Sequence, residues 1–279
     1  MTQPKPRISF EYFPPKTREG KARLLEETTP ALQALKPDFF SVTYGAGGST
    51  RDNTAGLVTA LQQTGIDAAP HLSFGGDDTD TIEQLLARYR EAGITRLVAL
   101  RGDIPSGMGG LAQLVYANEL VAFVREKTGD HFHIEVAAYP EIHPQADSYD
   151  ADIRYLKGKL DAGADSAITQ YFYNVESYFY FLDQCAAAGI DKPVYAGIMP
   201  ITNFANLARF SRNCGAEIPR WICQRIDSYG ADQDSIRKFG IEVVSQLCQT
   251  LLASGAPGIH FYTMNQVEPT RQIHHNLGL

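Results

Sequence analysis

Several ingredients are scarce in this chain of 279 residues, and each scarcity closes off a class of protein. There are four cysteines, Cys185, Cys214, Cys223 and Cys248, with no CxxC pair among them. Neither a disulfide scaffold nor a cysteine-rich zinc site is indicated, and free thiols are expected. The opening MTQPKPRISF is not followed by an apolar signal core, and no apolar run approaches the length of a membrane span. A cytoplasmic protein without a membrane partner is therefore expected. Positive charge is short as well. Lys+Arg 25 against Asp+Glu 32 gives a net charge of −7, the wrong sign for a dedicated nucleic-acid binder. The glycines of 45–48 and 107–110 follow neither the dinucleotide fingerprint nor the Walker pattern. What is present is a globular composition, 44% hydrophobic and 20% charged with no low-complexity tract, which excludes a mostly disordered chain.

Short β-rich runs alternate with longer stretches whose apolar residues recur three and four apart. Eight strands are predicted: Ile8–Phe13, Phe39–Gly45, Ala68–Phe74, Arg96–Arg101, His133–Tyr139, Ser166–Phe172, Pro193–Met199 and Gly258–Thr263. Most are continuous apolar runs, as in a parallel sheet covered on both faces. Between them lie helical stripes such as Ile82, Leu85, Leu86 and Tyr89. The seventh connection is longer, with a helix from about Phe204, a break at Ile218-Pro219 and a strong helix through Val244, Leu247, Cys248 and Leu251. This pattern predicts an α/β single domain over 1–279, a (β/α)8 TIM barrel with an extra helix before the eighth strand.

In such a barrel chemistry collects at the C-terminal rim. The predicted strand ends are polar there: Glu11, Thr43-Tyr44-Gly45-Ala46, Pro70-His71, Arg101-Gly102-Asp103, Tyr139-Pro140-Glu141 with His143, Thr169-Gln170 and Tyr262-Thr263. An inward Glu11 among Phe10, Tyr12 and Phe13 would be desolvated and held as a proton donor near neutral pH; a solvated carboxylate or one paired with Arg101 is the plainer alternative. Arg101-Gly102-Asp103 suits a polar heterocycle or a phosphate, or forms a turn salt bridge. Lys157 and Lys159 are surface charges or anion contacts. His71 and His143 lack metal spacing, since no HxH follows the first strand and no HExxH occurs, so no metal is expected.

Taken in order, Phe10-Glu11-Tyr12-Phe13-Pro14-Pro15, Ser41-Val42-Thr43-Tyr44-Gly45-Ala46, Ala69-Pro70-His71-Leu72, Ala99-Leu100-Arg101-Gly102-Asp103, Ala138-Tyr139-Pro140-Glu141, Ile168-Thr169-Gln170 and His260-Phe261-Tyr262-Thr263 resemble the methylenetetrahydrofolate reductase family across nearly the whole chain. The resemblance implies a cytoplasmic flavoprotein. It would use FAD and NADH or NADPH to reduce 5,10-methylenetetrahydrofolate to 5-methyltetrahydrofolate by a ping-pong mechanism, feeding methionine synthesis and one-carbon metabolism. A homo-oligomer is expected.

By the same resemblance, Glu11 is the proton donor and Asp103 the carboxylate that favours the cationic intermediate. FAD would meet Tyr44, Ala46, His71, Arg101, Gly102, Asp103, Tyr116, Ala117, Tyr139, His143, Ala146, Asp152 and Lys159. Folate would meet Thr43, Gln170, Asn206, Phe210, Tyr262 and Gln266. Three positions depart from the bacterial pattern: Asn206 stands for a glutamine, Gln266 for an arginine and Tyr155 for an asparagine. The chain ends soon after the eighth strand, so the regulatory domain of animal relatives, and control by a methyl donor, are not expected. Two other classes compete with this reading: a barrel glycosidase using Glu11 and Glu141, and a barrel that binds its ligand without turnover.

Overall fold

Eight parallel strands close on themselves in chain order: β1 Arg7–Tyr12, β2 Phe39–Val42, β3 Ala68–Leu72, β4 Arg96–Ala99, β5 His133–Ala138, β6 Ser166–Thr169, β7 Val194–Ile198 and β8 Gly258–Tyr262. The computed structural model describes residues 5–44, 48–74, 78–101 and 116–279. Closure is made by β1 and β8, which set Ser9 opposite His260 and Glu11 opposite Tyr262. All eight predicted strands are found, and the architecture is the (β/α)8 barrel the alternation implied. The structured strands stop one to three residues short of the predicted C-terminal ends, because the polar residues closing each run belong to the rim loops.

Strand alternation divides the apolar residues between two cores. Ile8, Phe10 and Tyr12 of β1 join the large core between barrel and helices, whereas Phe39, Ala69, Val98 and Ile168 form a small cluster of their own, with Tyr195 packed against it. At the level of Phe39 a charged plug fills the interior. Glu135, fully buried, meets Arg7, Arg96, His133 and Ser166. The Arg7 guanidinium stacks 3.7 Å from the Tyr195 ring centroid and 4.9 Å from that of Phe39.

The helices are α1 Arg18–Arg23, continued by a π-helical turn at Leu24–Thr28 into α2 Thr29–Gln33, then α3 Gly48–Gln63, α4 Thr79–Glu91, α5 Ala117–Thr128, α6 Tyr149–Asp161 and α7 Val175–Ala187. The seventh connection carries α8 Phe204–Cys214, α9 Arg220–Tyr229 and α10 Gln233–Ala253, and α11 Thr270–Asn276 ends the chain. Pro219 opens α9; a second break falls at Gly230, φ 57°, after which Asp232 caps α10. Two caps bear on the site, because each satisfies an orphan backbone N–H at the start of a helix that carries site residues. Ser148 Oγ accepts from Ala151 N at 3.1 Å and starts α6; Asn203 Oδ1 accepts from Asn206 N at 3.0 Å and starts α8. In α6, Ala151, Ile153, Leu156 and Leu160 are buried, which leaves Asp152, Tyr155 and Lys159 on the face toward the rim. Among the described residues no helix is long and apolar enough to cross a membrane.

Candidate active site

The rim loops enclose a cavity of about 780 Å³. Tyr44 after β2 and Arg101 after β4 form one side, and Tyr116 and Ala117 at the start of α5 another. Tyr139, His143 and Ala146 come from the β5–α6 loop, and Asp152 and Lys159 from α6. Residues scattered over more than a hundred positions are thus gathered into one wall: Tyr44, Arg101, Tyr139 and His143 from the strand-end reading, and Tyr116, Ala117, Ala146, Asp152 and Lys159 from the positions the family resemblance implied. Tyr155 also lines it. Ala46, Gly102 and Asp103 lie outside the described residues. So do the glycine runs of 45–48, except Gly48 at the start of α3, and of 107–110.

The β5–α6 loop is held under strain. Ile142, a β-branched residue, adopts φ 70°, and the segment is fixed by the His143 N–H donating to Asp152 Oδ2 at 2.8 Å. Gln145 N donates to His143 Nδ1 at 3.0 Å, which makes Nδ1 an acceptor and leaves the proton of a neutral ring on Nε2. Arg101 donates to the side chain of Gln145, a residue the sequence did not single out. Burial pushes the Asp152 carboxyl up, and it drives the Lys159 ammonium down to about 8. Lys159 Nζ donates to the Ala137 carbonyl at 2.5 Å. A desolvated ammonium in a cavity wall favours an anionic ligand such as a pyrophosphate. A cavity of about 780 Å³ edged by tyrosines, an arginine and this lysine has the volume and the donor set to fit a flavin dinucleotide.

A second cavity of about 440 Å³ shares Arg101, Tyr139, His143 and Gln145 with the first. Its own wall includes Gln170 and Tyr171 after β6, Met199 after β7, Phe210 on α8 and Met264 after β8. Tyr171 is fixed from behind, its hydroxyl 3.0 Å from Ser211 Oγ and accepting from Cys214 Sγ at 3.4 Å. Two of the residues expected at folate, Gln170 and Phe210, therefore face this space. The other four do not line it. Thr43 N–H donates to the Tyr12 carbonyl, Tyr262 donates its hydroxyl to the Thr169 carbonyl at 2.7 Å, Asn206 accepts from Arg209 at 3.2 Å, and Gln266 is exposed beyond β8.

Glu11 points inward from the end of β1 and is buried. Its Oε2 is approached by His260 Nε2 at 3.2 Å, His71 Nε2 at 3.1 Å and Ser41 Oγ at 3.3 Å. Only His71 lacks a well-aligned hydrogen bond there. The Thr263 hydroxyl donates to the Glu11 carbonyl at 2.6 Å and fixes the backbone beneath it. The sequence reading expected desolvation to keep this carboxyl protonated near neutral pH, and the structure corrects that. Burial does oppose ionisation, but the neighbouring imidazoles outweigh it and hold the group at about 2. The expected flavin contact His71 thus stands at the carboxylate, outside the walls of both cavities.

Sequence reasoning also missed Ser9 and His260. Ser9 Oγ lies 2.7 Å from His260 Nδ1, on the partner strand at the same register. The available signal was a polar residue at each inward position of strands that are otherwise apolar: Ser9 and Glu11 in β1, His260 and Tyr262 in β8. Glu141, the second carboxylate of the glycosidase reading, is turned away. Its oxygens accept from Glu217 N at 2.8 Å and Ser177 Oγ at 3.3 Å, and it lines neither cavity.

Residues 1–278 match the family described as methylenetetrahydrofolate reductase. The 5,10-methylenetetrahydrofolate reductase of Escherichia coli K12 is 40% identical over 273 residues, covering 98% of this chain and 90% of that protein. Methylenetetrahydrofolate reductase (NADH) 1 of Zea mays is 37% identical over 98% of this chain and 48% of its own length. Among solved structures, an uncharacterized protein from Clostridium thermocellum that binds two copies of 5-methyl-5,6,7,8-tetrahydrofolic acid aligns with TM-score 0.70 at 18% identity, over 98% of this chain and 93% of that one, a likeness of fold.

Proposed function

Since the chain belongs to the methylenetetrahydrofolate reductase family, we propose that it reduces 5,10-methylenetetrahydrofolate to 5-methyltetrahydrofolate with FAD and NADH or NADPH, in two half-reactions that take turns on one face of the site. The observation that carries this reading is the pair of adjoining cavities with a common wall of Arg101, Tyr139, His143 and Gln145. One is suited to a resident dinucleotide, the other to an exchangeable planar partner. Bound FAD supplies the hydride carrier between nicotinamide and folate.

The chain's own residues do the rest. Lys159 and Arg101 hold the anionic part of the cofactor, and Tyr44, Tyr116 and Tyr139 offer faces for its rings. Phe210 stacks on the planar ligand in the second cavity, and Gln170 supplies its amide to the pterin. Glu11 delivers a proton to the amine of the five-membered ring, which opens to an electrophilic iminium, and Asp103 is assigned the stabilisation of that cation. The four unpaired cysteines suit the reducing cytoplasm, where the product would enter methionine synthesis. Assembly as a homo-oligomer is part of the same proposal.

Anaerobic spectroscopy tests the reading. FAD-loaded protein should be yellow, bleach with a reduced nicotinamide nucleotide and recolour with methylenetetrahydrofolate. A glycosidase would do none of this, and a simple binder would bleach or colour without turnover.

A further inference from the structure

A carboxylate held at about 2 is a poor store for a proton needed near neutral pH. The structure places an imidazole within hydrogen-bond reach of it. His260 is fully buried on β8, with Nδ1 2.7 Å from Ser9 Oγ and Nε2 3.2 Å from Glu11 Oε2. Ser9 thus fixes which ring nitrogen faces the carboxylate. The groups around the imidazole come from four strands: Ser9 and Glu11 from β1, Phe39 of β2 stacked at 6.1 Å, His71 of β3 across the carboxylate, and Tyr262 of β8 edge-on at 5.3 Å, while β7 sets Gly197 opposite it. The fixed charges beyond Phe39 are Arg7 and Arg96, which stack on that ring.

We propose that His260, pinned by Ser9, is the positioning residue that holds the catalytic proton on Nε2 and hands it to Glu11 during the folate half-reaction. His260 is chosen over His71 because its Nε2 makes the aligned hydrogen bond to Glu11. Both groups are already out of water, and that burial, which opposes two separate charges, brings the neutral arrangement of imidazole and carboxyl within reach of the ion pair.

In the transfer the Nε2–H bond breaks and an O–H bond forms on Glu11, leaving a neutral ring. The O–H bond then breaks as the substrate amine gains its N–H bond. One proton from water restores His260 before the next turnover. No electrons are exchanged in any of these steps. The inference rests on the reading that methylenetetrahydrofolate binds at this mouth.

Two measurements test it. In the first, flavin reoxidation by methylenetetrahydrofolate is followed by stopped flow from about pH 5.5 to 8.5 in wild type, His260→Gln and Ser9→Ala. Glutamine keeps a donor to Glu11 but cannot store a proton. The expected result is a roughly tenfold to hundredfold slower limiting rate in His260→Gln with the wild-type inflection lost, and a displaced inflection in Ser9→Ala. In the second, ¹⁵N-histidine NMR compares wild type with Glu11→Gln at pH 7, and the His260 Nε2 signal should report a changed protonation. An unaltered rate and pH profile in both variants, or a His260 signal indifferent to Glu11→Gln, overturns the proposal. If His260→Gln does not fold, Ser9→Ala and the NMR comparison decide. If the wild type fails to pass electrons to folate, the functional reading falls and the NMR comparison alone judges the proton pair.

Discussion

The Tyr262 hydroxyl donates to the Thr169 carbonyl at 2.7 Å, and its ring lies where a side chain at position 197 would stand. A Cβ built on Gly197 would come within 1.9 Å of that carbonyl oxygen and 2.8 Å of Tyr262 Cε2. A glycine of β7 therefore gives room for a tyrosine of β8 to reach β6 inside the barrel. Gly197→Ala should destabilise the fold by about 1–3 kcal/mol, the usual scale of overpacking, read as a lower urea midpoint at unchanged slope.

The buried plug at the other end of the barrel predicts an acid response. Burial opposes ionisation of Glu135, but His133, Arg7 and Ser166 outweigh it and hold the carboxyl at about 2, against an ordinary 4.5. A depressed carboxyl contributes stability in full above the unfolded value, and loses it as the pH falls toward the folded one. Urea midpoints should thus hold down to about pH 5 and fall steeply between there and pH 2. Glu135→Gln should cost about 3–5 kcal/mol at neutral pH and flatten that fall, because Arg7 would lose its carboxylate and Arg96 would keep only Asp67.

Lys159 makes the cofactor reading measurable apart from turnover. Its ammonium is driven to about 8 by burial, and a bound anion would favour the charged form again. FAD affinity should therefore weaken as the pH rises through 8, and titration calorimetry in buffers of different ionisation enthalpy should show proton uptake on binding near that pH. Lys159→Met should raise the dissociation constant roughly tenfold or more, the loss of about one charge-assisted hydrogen bond. Tight, pH-independent binding in that variant would place the anion elsewhere.

The sequence showed the alternation of eight apolar runs and the cluster of polar residues at their ends, because both patterns are local: strand period is two, helix period near 3.6, and rim residues follow the strand directly. The strand-end part of the larger cavity's wall, Tyr44, Arg101, Tyr139 and His143, was legible for the same reason, whereas Tyr116, Ala117, Ala146, Asp152 and Lys159 came through the family resemblance. What escaped depends on closure. The inward register of β1 against β8 brings Ser9 and Glu11 to His260, residues about 250 positions apart. A desolvation argument drawn from Phe10, Tyr12 and Phe13 alone therefore had the sign of the Glu11 shift reversed. Asn265 ties the two rim loops in the same way, accepting from Phe13 N at 2.9 Å and donating to its carbonyl at 2.7 Å. Thr43, Asn206, Tyr262 and Gln266 were assigned by motif position, yet their side chains or backbones are engaged away from the second cavity or exposed outside it.

The central claim is that Glu11 serves the folate half of the reaction and not the nicotinamide half. The most direct measurement is anaerobic stopped flow on FAD-loaded Glu11→Gln. The account predicts that NADH still bleaches the flavin and that methylenetetrahydrofolate then fails to restore its colour. Recolouring at the wild-type rate would contradict it.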